Sequence, residues 1–245
     1  MCRFYSFLTD EKGNRYGMNH QARLDIKNGK SDLRADSHAS IAKLWSIDED
    51  KCNKYEFNPL TRELKLDMQN LSFNDKELIN IDELLEEVKE AVPELIIKPI
   101  IDPFKDIKFE GEVTDEMIGL VKEWSKVRNS IDDSVDNSVY NSIDSFMDDS
   151  IYDSIWDSVR DFAGDSVLDS LGCSGWDSIR DSVNDSIWNS TIDFVDAYFS
   201  SFFNIAYPYD FSPAIKLWEM GLVPSFDGKK WRLHSYKSIV WEEQL

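Results

Sequence analysis

The chain has 245 residues, 42% of them hydrophobic and 13% aromatic, with a formal charge of −20 at pH 7. That apolar content excludes a disordered polypeptide, and the charge argues against direct binding of nucleic acid or an anionic membrane, because it repels phosphate. No run approaches the eighteen apolar residues of a membrane helix. The start Met1-Cys2-Arg3-Phe4-Tyr5 lacks the long apolar stretch of a signal peptide. Three widely spaced cysteines (Cys2, Cys52, Cys173) give neither a disulfide framework nor metal-ligand spacing, so a soluble protein of a reducing compartment is expected.

Residues 1–75 read as a small α+β module. An apolar run from Cys2 to Leu8 and a second from Arg15 to Met18 flank Gly13-Asn14, which predicts a hairpin. Ser37 to Ile47 predicts a short helix, and Lys54 to Leu66 a strand-turn-strand around Asn58-Pro59. Residues 76–127 form a helical and extended connector. Ile81, Leu84, Leu85 and Val88 recur at helical spacing, Leu95 to Phe109 is expected to be extended across the surface, and Thr114 caps a helix carrying Met117, Leu120, Val121 and Trp124.

Residues 128–193 hold an unbroken four-residue repeat, Asp/Asn-Ser-Ile/Val-x. Ser occupies 14 of the 16 positions from 130 to 190 taken in steps of four, and Ile or Val follows in 11 of the 16. Fifteen Asp and two Arg give the stretch from Ser130 to Asp193 a net charge of −13. On a continuous α-helix a period of four drifts about 40° per repeat. Ser, Asp, Ile and Val are also indifferent helix formers, and Gly164, Gly172 and Gly175 interrupt. The expected fold is therefore α+β ends flanking a central β-solenoid, three- or four-sided, with a helical repeat array as the alternative. In the solenoid, Asp-Ser forms corners and identical side chains stack in ladders about 4.8 Å apart. Residues 194–245 are read as an aromatic cap (Phe194, Tyr198, Phe199, Phe202, Phe203, Tyr207, Tyr209) over the open end of the array. A helix from Pro213 to Met220 follows, then a hairpin at Asp227-Gly228.

Several of these segments together carry a resemblance. Cys2 to Ser6, Asp36-Ser37-His38, the array from Ser130, and Leu217 to His234 resemble a group of bacteriophage and mobile-element proteins of unassigned function. The resemblance implies a phage setting in the cytoplasm of a bacterial host, and brings no catalytic residues with it. The array is also similar to that of pentapeptide-repeat proteins, four-sided β-helices, although it is one residue short per side. That likeness implies a solenoid whose charge imitates a DNA duplex and inhibits a DNA-handling enzyme.

Three sets of residues are candidates for function. The first is the acidic row Asp149, Asp153, Asp157, Asp161, Asp165, Asp169, Asp177, Asp181 and Asp185, expected to meet a host protein with a basic surface, such as a nucleic-acid-handling or defence enzyme. The second is Cys2, which would become an N-terminal nucleophile if Met1 were removed, with His38 and Asp36 assisting. Its Met1-Cys2 start resembles that of abasic-site-capturing proteins, without their following Gly. The third is Trp231, Arg232 and His234, an aromatic-basic face on a strand. No cofactor or metal is expected, for no phosphate-cradling loop, zinc spacing or calcium-loop spacing is present. The function expected is that of an interaction protein using its acidic surface. A self-assembling scaffold or virion component, pairing through the solenoid ends, and an enzyme using Cys2 are the alternatives.

Overall fold

A computed structural model describes residues 5–132, 134–144, 149–164, 166–167 and 181–245. The chain divides into two units, Met1–Pro99 with Ile143–Trp156, and Ile100–Ser142 with Asp157–Leu245.

In the first unit, β1 (Tyr5–Thr9) lies between β2 (Arg15–Gly17) and β3 (Asn53–Asn58), and β4 (Glu63–Met68) completes an antiparallel sheet of order β2-β1-β3-β4. The β1–β2 turn closes because Asp10 Oδ1 accepts the Lys12 and Asn14 amides, both at 2.9 Å, while Gly13 takes φ +80°. Every residue of β1 is buried. Its Phe7 lies opposite Tyr55, with the rings stacked 5.2 Å apart. Leu8 instead joins Met18, Ile41, Ala42 and Cys52 in a cluster under α1 (His20–Lys27) and α2 (His38–Trp45). The third helix, α3 (Ile81–Ala91), buries Leu84, Val88 and Ala91, one face at helical spacing, and Asn80 caps it by accepting the Asp82 amide at 3.0 Å.

The second unit is built on aromatic packing. Thr114 caps α4 (Asp115–Ser130), which buries Trp124. That indole meets Phe194 edge-on at 6.1 Å, and Phe194 packs on Trp218 at 5.6 Å. Phe194 lies on α7 (Asp181–Phe199) and Trp218 on α8 (Ser212–Glu219). A sheet of order β5-β6-β7 follows: β5 (Val223–Phe226), β6 (Trp231–His234) and β7 (Ile239–Glu243). The β5–β6 turn is fixed by Asp227 Oδ1, which accepts the Lys229 and Lys230 amides, and by Gly228 at φ +89°.

The β-solenoid expectation is overturned. No solenoid coil is evident among the described residues; the fold is mixed, with helices and two small open antiparallel sheets. The described repeats form α5 (Val135–Asp144), α6 (Asp149–Val159), a π turn (Arg160–Gly164) and the start of α7. Two physical facts explain the reversal. A drift of about 40° per repeat ruins a long straight helix, but α5 carries only Val135, Val139 and Ile143. They spread over about 80°, inside the roughly 100° stripe that a helix can bury. All three are buried, as are Ile155 and Val159 of α6. The π turn holds more residues per turn than an α turn, so it carries the stripe back the other way, and Ala163 within it is also buried. The serines, expected to compete with a helix, are absorbed by it. Ser142 Oγ donates to the Ser138 carbonyl at 2.8 Å, and Ser190 Oγ to the Ile187 carbonyl at 2.9 Å.

Two smaller expectations change with it. The aromatic stretch from Ile192 covers no open end; Phe194, Tyr198, Phe199, Phe202 and Phe203 are core residues of the second unit. Nor does Leu95 to Phe109 merely cross the surface, since Leu95, Ile100, Asp102 and Phe104 are buried. Among the described residues, no helix is long and apolar enough to cross a membrane.

Candidate functional site

The acidic row is the first candidate. The tetrad sets each Asp two residues ahead of an inward-facing Ile or Val, so burying one exposes the other. Asp153 and Asp157 on α6, Asp161 in the π turn and Asp185 on α7 are all exposed. Asp149 opens α6 and Asp181 opens α7. Asp165, Asp169 and Asp177 lie outside the described residues, and the stacked ladder expected of them falls with the solenoid. Within α6, Asp153 and Asp157 stand about 6 Å apart along the axis and turn about 40° in the right-handed sense.

Of the Cys2 centre the structure describes only the two assisting residues. Cys2 lies outside the described residues, while Asp36 is committed elsewhere. Its two oxygens take the Arg23 guanidinium at 2.9 and 2.6 Å, and Oδ1 also accepts the Ser6 amide at 3.2 Å. His38 is buried, and its Nε2–H donates to the Tyr55 carbonyl at 3.0 Å, which fixes the ring to the sheet. Its Nδ1 is 3.9 Å from the Asp67 carboxylate. Both residues are thus engaged by the fold of the first unit.

Nor do Trp231, Arg232 and His234 form an open face. Trp231 is buried against Phe226 with the ring centroids 5.3 Å apart. Arg232 pairs with Asp227 at 2.5 Å and with Glu242 at 3.4 Å. His234 Nε2 lies 2.7 Å from Ser225 Oγ, both buried. A serine hydroxyl on an imidazole is the beginning of a nucleophile-base pair, but Ser225 is fully buried and offers no attacking oxygen to a substrate.

Burial first, and then the Arg232 charge, lower His234 from 6.5 to about 4. The unfolded chain therefore binds a proton below pH 6.5 that the folded chain refuses until about pH 4. Stability contributed by His234 is present above the upper value and is lost as pH falls through this window, by about 1.4 kcal/mol per pH unit. Thermal melts between pH 7 and 4 should show a smaller acid loss in His234→Gln than in the parent chain. Equal slopes would show that the imidazole is not held neutral.

Sequence reasoning missed a carboxylate group in the second unit. Asp193 of α7 accepts Arg128 Nε at 2.7 Å and also takes the Val135 amide at the start of α5. One turn on, Asp196 is 1% exposed and neither of its oxygens has a hydrogen-bond partner. Burial, then Asp136 and Asp193, raise Asp196 well above the ordinary carboxyl value. A signal was available, because Asp196 falls outside the Asp phase of the tetrad and is the lone acid in Phe194-Val195-Asp196-Ala197-Tyr198-Phe199.

Among the described residues, no group of three or more His, Cys, Asp or Glu is placed to hold a metal ion. A groove of about 310 Å³ runs along Ser134, Asn137, Ser138 and Asn141 of the α5 region beside Tyr209. Its lining is that of a solvated helix face. No protein-family model, curated protein or solved structure matches the chain.

Proposed function

We propose that this chain is an interaction protein of phage type, whose exposed aspartates engage a basic surface on a host protein in the manner of a nucleic-acid mimic. The target class is a nucleic-acid-handling or defence enzyme. One observation carries the reading: where Asp153, Asp157, Asp161 and Asp185 of the array are described they face solvent, while neighbouring Ile155, Val159 and Ala163 are buried. The axial step of about 6 Å between α6 aspartates is of the same order as the axial rise over two nucleotides of one DNA strand, about 6.8 Å. The phage setting comes from the resemblance of the chain ends. Pairing through solenoid ends has lost its structural basis.

The test uses the tagged full chain to capture partners from bacterial lysate, with elution by salt and competition by duplex DNA. A DNA-handling enzyme should elute over a modest salt range, because paired surface charges are screened within about 8 Å at physiological ionic strength. Duplex DNA should displace it. Converting Asp153, Asp157, Asp161 and Asp185 to Lys should weaken the complex roughly tenfold per charge, with far-ultraviolet circular dichroism unchanged. Capture that neither salt, DNA nor charge reversal disturbs would overturn the proposal.

A further inference from the structure

We propose that Asp196 is a protonation latch: its uncharged carboxyl allows the start of α5 to rest against α7, and ionisation releases that contact. The inference does not depend on the acidic row. A carboxylate removed from water without a partner is costly, and the usual resolution is to keep the proton. Asp196 is 1% exposed with both oxygens unpartnered, between the buried Val195 and Ala197.

The neighbouring charges make ionisation worse. Asp193 lies one turn back on the same helix, and Asp136 lies in the first turn of α5. The nearby cation, Arg128 of α4, is already bound to Asp193. On the other elements packed against α7 the charged groups are Lys216 and Glu219 of α8 and Arg160 and Asp161 of the π turn, and β5 carries no charged residue. Asp193 also accepts the Val135 amide, so the two acids sit at the point where α5 is fastened. A new negative charge at Asp196 would face Asp193 and Asp136.

The sign follows from the raised value. The unfolded chain gives up this proton near the ordinary carboxyl range and the folded chain holds it to higher pH. The stabilising contribution is complete at low pH and is lost as pH rises towards the folded value. The first variant is Asp196→Asn, which keeps the shape and removes the titration. The melting temperature of the parent chain should fall relative to Asp196→Asn by about 3 °C per pH unit through the titration window. Taking the difference cancels His234. Amide exchange at the start of α5, normalised to an unstructured peptide at each pH, should speed up with pH in the parent chain only.

Asp136→Asn is the second variant. It lies on an exposed position, and removing its like charge should move the upper end of the titration window to lower pH and shrink the total loss, without unfolding the chain. Parallel melting curves for the parent and Asp196→Asn, or an α5 exchange rate that ignores pH, would overturn the latch. So would calcium or magnesium raising the melting temperature of the parent chain but not of Asp196→Asn, which would make the group a cation site.

Discussion

Replacing Asp36 with Asn should destabilise the first unit by about 3–5 kcal/mol, because it leaves a buried guanidinium without its counter-charge. The Arg23 and Asp36 side chains are 6% and 2% exposed, so solvent cannot take over when one partner is removed. Asn is the informative replacement, since Asp36 has φ +51° and Asn is among the few residues that tolerate the left-handed region. Its side-chain oxygen can still accept the Ser6 amide, so the tie from the turn before α2 to β1 survives while the charge goes. The double variant Arg23→Met with Asp36→Asn should recover most of the loss, as replacing both members of a buried pair often does. Urea denaturation of the three chains measures the cycle. A single variant within about 1 kcal/mol of the parent would mean that the pair behaves as a solvated surface bridge. Any loss seen in an assay of Cys2 chemistry with an Asp36 variant must be separated from this effect on folding.

Local signals made the ends of the chain legible. Thr114 announces α4 because a side-chain oxygen just ahead of an apolar-periodic run satisfies the first free amides, and the spacing of Ile81, Leu84, Leu85 and Val88 announces α3. Gly13 and Gly228 announce hairpins because those turns require positive φ. The array misled because period was weighed against an uninterrupted helix. Short segments joined by a π turn tolerate a stripe that drifts, and serine hydroxyls can bond back to the helix they were expected to break. The exposure of the aspartates was legible all the same, since the tetrad sets Asp against Ile or Val in a coil or a helix. Long-range pairs were not legible. Arg23 with Asp36, and Arg128 with Asp193 across 65 residues, depend on how the elements pack. His234 looked available on strand alternation alone, because its partner Ser225 belongs to the adjacent strand.

Trp218→Ala should cost the second unit about 3–5 kcal/mol, the range for deleting a large buried aromatic side chain. Trp218 is fully buried and stacks on Tyr198 with centroids 4.3 Å apart and planes 7° from parallel. The pair also grips one residue of the extended strap before α4. Ile101 N–H donates to Tyr198 Oη at 3.0 Å, and Trp218 Nε1–H donates to the Ile101 carbonyl at 2.8 Å. Conservative variants separate packing from gripping. Trp218→Phe removes the indole donor and Tyr198→Phe the phenol acceptor, and each should cost about 1–2 kcal/mol, mostly through a partly buried backbone group left unpaired. The double Phe variant should cost less than the sum of the two, because both grips hold the same residue and the second loss falls on a strap already loosened. Amide exchange localises the effect: Ile101 should lose protection in Tyr198→Phe, while the Trp124 and Phe194 amides keep theirs. If Trp218→Ala instead collapsed protection across α4 and α7 alike and Tyr198→Phe left Ile101 protected, the aromatic pair would be filling the core without fastening the strap.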